Sequence, residues 1–253
     1  YATYGLVMCG STLEFDEGLK YGAISVRLLD KFKTAAVYTK IHYIHSNFIV
    51  HWRYHFRDTL DEMTDSYYKG LETGDFLFSS YAAFNICTVE FYMGNPLPEL
   101  KRLMDDYASA LRKIRQQIGL GWLNIYRQTV SNLMNDEADS RLAGTEFNEE
   151  MQVAEHEKGK DFSGLCVYYM NRMMLAYLFD KTEEAFENGE RSFALIDNVI
   201  AGPHVSPIHF YYGLTLLRAA DEMPKKRRRN LRRAGSVLQK IKKFAKSAPE
   251  NNR

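Results

Sequence analysis

The densest group of side chains able to do chemistry is the histidine set His42, His45, His51 and His55 in IHYIHSNFIVHWRYH. On a helix, His51 and His55 stand four apart, the spacing that lets two imidazoles reach one metal ion, and His42 and His45 stand three apart. The pattern is incomplete as a metal or hydrolase site. No Glu follows His51 to act as a base, no acid lies between 42 and 57, and the interleaved Phe48, Ile49, Val50 and Trp52 are packing residues. These histidines are therefore expected to make ordinary hydrogen bonds in a core or groove, and no metal ligand is assigned.

Paired carboxylates fare no better. Asp61, Glu62 and Asp65, the pairs Asp105–Asp106 and Glu149–Glu150, and Glu183–Glu184 fall on predicted helices among polar neighbours. Such positions are read as solvated faces and helix N-terminal acids. A di-iron bundle repeats Glu-x-x-His, but Glu155 directly precedes His156, and His204 and His209 have no glutamate at the matching offset. There is no G-x-x-x-x-G-K-[ST] to cradle phosphates and no kinase glycine loop, H-R-D or D-F-G; Gly74-Asp75-Phe76 is not the last of these. Cys9, Cys87 and Cys166 sit in apolar runs without a neighbouring Lys, Arg or His to lower a thiol pKa, as buried reduced thiols of a cytoplasmic protein would. No catalytic residue and no cofactor is assigned.

Charge is unevenly placed. The net charge is +1, yet residues 225–246 hold eleven Lys or Arg and no acid, leaving about −10 on the rest. Within KKRRRNLRR, the residues Lys225, Arg227, Arg228, Arg229 and Arg232 are candidate contacts for an acidic partner or for nucleic acid. No aromatic residue is interleaved at 225–233 to stack on bases, which favours a solvated face or an acidic partner. Leu231, Ala234, Val237, Leu238, Ile241 and Phe244 form an apolar stripe behind the charges, predicting a basic terminal helix that packs on the helix before it.

The elements that must position these residues are helices. In 253 residues with 45% apolar content, 16 Gly and 6 Pro, the composition excludes a disordered, collagen-like or disulfide-stapled chain. Periodicity of 3.6 predicts helices near 2–11, 16–32, 36–54, 57–72, 75–93, 97–117, 120–135, 147–157, 162–179, 182–200, 206–221 and 226–246. No sustained two-residue alternation marks a strand, and no apolar run approaches the ~18 residues of a membrane span. Asp75 and Asp161 stand where N-caps belong, and residues 136–148 read as a polar loop. LETGDFLFSSYAAF (71–84) and HEKGKDFSGLCVYY (156–169) share a Gly, an Asp-Phe pair and an aromatic continuation, and helix pairs recur at ~40 residues. The expected fold is all-α: one right-handed α-solenoid over 1–253, of about six antiparallel, tetratricopeptide-like helix pairs. In such an array aromatic residues of the first helices face a groove, and Tyr43, Tyr81, Phe84, Tyr169 and Tyr212 are candidate groove contacts for a protein segment.

LVMCGSTLEFDEGLKYGAISVRLLDKF (6–32), YYKGLETGDFLFSSYAAFNIC (67–87), GNPLPELKRLMDDYASAL (94–111), IYRQTVSNLM (125–134) and KIKKFAKSAPENNR (240–253) resemble the helical-repeat region of large multidomain signalling kinases. That resemblance covers nearly the whole chain. It implies an interior piece of a longer polypeptide, placed between an NTPase module and a sensor and kinase end. It further implies a non-catalytic scaffold that makes protein or interdomain contacts within an ATP-dependent kinase. No catalytic position of that family falls in these residues. A nucleic-acid-binding repeat using residues 225–246 is the alternative reading.

Overall fold

The computed structural model describes residues 1–32, 35–135 and 138–252. Positions 136 and 137 of the expected polar loop lie outside the described residues. Thirteen α-helices are described: α1 (Ala2–Val7), α2 (Phe15–Phe32), α3 (Tyr38–Phe48), α4 (Arg57–Thr73), α5 (Phe76–Tyr92), α6 (Leu97–Lys113), α7 (Gln117–Met134), α8 (Glu149–Lys158), α9 (Phe162–Leu178), α10 (Thr182–Ala194), α11 (Val205–Glu222), α12 (Arg227–Ser247) and α13 (Pro249–Asn252). Among the described residues there is no strand, only an isolated bridge between Ala143 and Asn148. None of these helices is long and apolar enough to cross a membrane.

Local chemistry sets the boundaries. α4 stops at Gly74, whose φ of +80° is cheap only without a Cβ, and Asp75 then accepts from the Phe78 N–H to start α5. Asp161 does the same for α9, accepting from Gly164 N at 2.9 Å. Asn148 caps α8 through Glu150 N at 3.0 Å, while Gln152 Oε1 accepts from Asn148 N at 2.7 Å, a reciprocal box. Two predicted long helices are shorter than their periodicity suggests. The 36–54 segment becomes α3 followed by a 3₁₀ turn at Val50–Trp52, and the 2–11 segment becomes α1 followed by a π-helical turn at Met8–Thr12.

The chain divides into two compact units. The first comprises residues 1–123, 200–203 and 244–253; the second comprises 124–199 and 204–243. In the first, α5 is the central helix, with Ser79, Ala82, Ala83, Phe84, Ile86, Cys87 and Val89 buried, and α4, α3 and α6 pack against it. A second cluster there stacks Phe15 on Trp52 at 4.8 Å and sets Phe244 against Trp52 at 5.0 Å. Its polar edges are closed too. Trp52 Nε1 donates to the Ala201 carbonyl at 3.0 Å, and Asn251 Nδ2 donates to the His51 and Tyr54 carbonyls at 2.8 Å each.

In the second unit α9 is central, buried along almost its whole length, and packs against α10, α11 and α8. The loop from 138 to 148 is held there by side chains both near and far in sequence. Ser140 Oγ donates to Glu184 at 2.6 Å, Leu142 N donates to Glu149 Oε2 at 2.8 Å, and Arg172 lies 3.3 Å from the same carboxylate.

Candidate functional site

The five aromatic groove candidates are placed mostly in the interior. Tyr43 is buried on α3, where its hydroxyl accepts from Asn85 Nδ2 at 3.0 Å and Asn47 Nδ2 at 3.3 Å. Burial pushes its phenol pKa up. Phe84 is buried edge-on against Trp122, and half-exposed Tyr81 stacks on the same indole at 5.3 Å. In the second unit Tyr169 is buried beneath Arg191, whose guanidinium sits 5.4 Å from the ring. Tyr212 is 1% exposed, stacked on Phe193 at 4.5 Å, with its hydroxyl donating to Glu190 at 2.5 Å and Arg233 over its face. Tyr43, Tyr81 and Phe84 come together in one unit, and Tyr169 and Tyr212 belong to the other. Four of the five thus serve as core, because each ring has found an apolar neighbour or cationic cap and each buried hydroxyl a partner.

The histidines also turn inward. α4 buries the stripe Thr59, Met63, Ser66, Tyr67 and Gly70, which sets Glu62 beside it, facing α3. His42 Nδ1 donates to Glu62 Oε1 at 2.6 Å, and His45 Nδ1 donates to the same carboxylate at 2.9 Å. Burial pushes the Glu62 pKa up, but the two imidazole hydrogen bonds outweigh it and hold the group below its ordinary range. Tyr38, one turn before His42, donates to Asp65. The acid missing between 42 and 57 is thus supplied from the next helix, invisible to a local motif search.

His51 and His55 do not share a helical face, since the backbone passes through the 3₁₀ turn between them. Buried His51 stacks on Phe56 at 5.6 Å, while His55 Nδ1 accepts from Arg57 N at 3.0 Å. Among the described residues no group of three or more His, Cys, Asp or Glu could hold a metal ion. All three cysteines are buried, and burial pushes the Cys9 and Cys166 thiols up to about 12, far from a reactive thiolate. His204 is likewise held neutral, burial pushing it down to about 3.

The basic helix is the region left on the surface. Lys225, Arg227, Arg228, Arg229 and Arg232 are all exposed. Arg227 lies 3.7 Å from Asp221 and Arg229 4.0 Å from Glu190, weak surface pairs in high dielectric. Arg233, by contrast, reaches inward to Glu190 at 2.8 Å. Lys225, Arg228, Arg232 and Lys242 have no ion pair among the described residues. Behind them, the predicted six-residue apolar stripe splits in two. Ala234, Val237 and Phe244 are buried and Ile241 is half-buried, while Leu231 and Leu238 remain exposed. Sequence reasoning placed those two leucines against the preceding helix; the helix phase turns them outward instead, one position round from the buried seam. This arrangement offers hydrophobic and cationic contact. No family model matches the chain, and no curated protein is similar to it at a significant level.

Proposed function

We propose that this chain is a non-catalytic, tetratricopeptide-like interaction scaffold, a right-handed α-solenoid in type with about six antiparallel helix pairs. The carrying observation is the duplicated hairpin start. Asp75 caps α5 and Asp161 caps α9 from the related segments 71–84 and 156–169, and each capped helix becomes the buried centre of its unit. Repeated units that bury one face against neighbours leave the other available for partners, which is how helical arrays serve binding rather than turnover. The resemblance to the repeat region of multidomain signalling kinases supports a role in holding or relaying between modules of one cytoplasmic polypeptide; three buried cysteines outside any disulfide fit a reducing compartment. The test is an in-frame removal of these residues from the polypeptide that carries them, reading regulated phosphotransfer. Loss of regulation with intact basal activity is expected, and unchanged regulation would sink the relay.

A second reading has its own support. The exposed Arg228 and Arg232, without ion pairs among the described residues, suit a phosphate backbone. Binding to DNA or RNA that weakens steeply with salt and is lost on neutralising Arg227, Arg228 and Arg229 would favour it.

A further inference from the structure

We infer that the outward furrow between α11 and α12 is the docking site for an acidic amphipathic helix of a partner protein. This rests on the reading of the chain as an interaction scaffold and names what one face of it binds.

Helix phase defines the furrow. α11 and α12 follow one another through a short 3₁₀ turn at Pro224–Lys226 and run side by side; a Cβ on Gly213 would meet Val237 Cγ1 at 3.3 Å. α11 buries Ile208, His209, Tyr212, Thr215, Leu216 and Ala219. At 3.6 residues per turn, Phe210 and Leu217 fall on the opposite side, beside the line of Gly213. On α12, Arg229 and Arg233 lean toward Glu190 on one flank of the buried seam Asn230, Ala234 and Val237. Leu231 and Leu238 fall on the other flank. The two pairs therefore border one outward furrow, and all four side chains are open: Phe210 51%, Leu217 48%, Leu231 43% and Leu238 48% exposed.

The spacing and charge select the occupant. Each wall repeats its apolar residue every seven positions, two helical turns, the period at which a helix laid along the furrow presents its own apolar side chains. Arg228 and Lys242, seven on either side of Gly235 and on the face that carries Leu231 and Leu238, are exposed and without ion pairs among the described residues. The α12 rim is thus cationic, and a guest helix with Glu or Asp flanking its apolar stripe matches it in both respects. A second copy of this chain is disfavoured, because a two-fold contact through this face would set cationic rim against cationic rim. Nucleic acid lacks a use for four aliphatic or aromatic side chains spaced along two walls, and residues 225–243 supply no aromatic platform for bases.

The experiment uses the full chain and a fluorescein-labelled 18-residue helical peptide, with leucines along one face and glutamates on both flanks, read by anisotropy. A scrambled peptide of the same composition and a single-stranded oligonucleotide run beside it. Saturable binding of the amphipathic peptide is expected, at least ~10-fold tighter than the scrambled one, weakened ~10-fold by L231S/L238S and made less salt-sensitive by R228Q/K242Q. Since these positions are exposed, the thermal midpoints of the variants should match the parent, which separates lost binding from lost folding. Equal binding of scrambled and amphipathic peptides, or binding untouched by both double variants, overturns the furrow while leaving the scaffold reading intact. Preference for the oligonucleotide over both peptides overturns the furrow and the scaffold reading together.

Discussion

The two places where ionisable side chains concentrate in this sequence, the histidines of α3 and the arginines and lysines of α12, end in opposite situations. His42 and His45 meet across one carboxylate, Glu62, and are largely shielded from water. On α12 the acids within reach are few: Glu190 serves Arg233 and, more loosely, Arg229, and Asp221 serves Arg227. The difference lies in supply. An imidazole costs little to bury when a neighbouring helix brings one acceptor, whereas the nine cations of α12, with no acid among them, outnumber the acids within reach, and those left over must stay in solvent or meet a partner. Internal pairing marks architecture, and its absence on an exposed face marks a surface available for contact.

The comparison breaks most severely if the inward side of α12 is not structural. Phe244 is 1% exposed and packs on Trp52 and Phe15, so Phe244→Ala should cost about 3–5 kcal/mol in urea unfolding. A cost under about 1 kcal/mol would mean that this end of the helix is not docked as described.

A smaller effect is expected on the histidine side. Glu62→Ala leaves two shielded imidazole N–H groups without their acceptor and should destabilise by about 1–3 kcal/mol, with Glu62→Gln recovering part of it. The sign of the pH effect follows from the lowered Glu62 pKa. The unfolded chain binds the proton first as pH falls, so the stabilisation is complete above the ordinary value of 4.5 and is lost as pH falls through the folded value. Denaturant midpoints measured between pH 7 and 3 should therefore converge for wild type and Glu62→Gln at the acid end; parallel curves would remove Glu62 from this role.

How much of this was legible in the sequence depends on how local each cause is. Helices α2, α4, α5, α9 and α11 lie within a residue or two of the spans predicted from periodicity, because their caps and apolar stripes are encoded within one segment. The expected helix at 97–117 ends earlier, at Lys113, where Arg115 takes a φ of +57° without the glycine that usually announces such a stop. The break after Phe48 has no Gly or Pro either; the turn is tied down by Asn251 and Ser247, about two hundred residues away. The site residues divide the same way. Exposure of Lys225, Arg227, Arg228, Arg229 and Arg232 follows from charge alone, while burial of Tyr43, Phe84, Tyr169 and Tyr212 depends on the distant partners Asn85, Trp122, Arg191 and Glu190.

The smallest expected effect is also the sharpest test, because it compares residues on one helix. Arg228 and Arg232 project into solvent without ion pairs among the described residues, so Arg228→Gln with Arg232→Gln should change unfolding free energy by no more than about 0.5 kcal/mol. Arg233, one position from Arg232, covers the Tyr212 ring and pairs with Glu190, and Arg233→Gln should cost about 1 kcal/mol or more by uncovering that ring and leaving the carboxylate with the Tyr212 hydroxyl and the looser Arg229 pair. If both substitutions cost the same, α12 is a uniformly structural helix and its outer cations are not held in reserve. If Arg233 alone is costly, the helix separates a side that stabilises the fold from a side whose charges contribute nothing to it and stand available for a contact outside the chain.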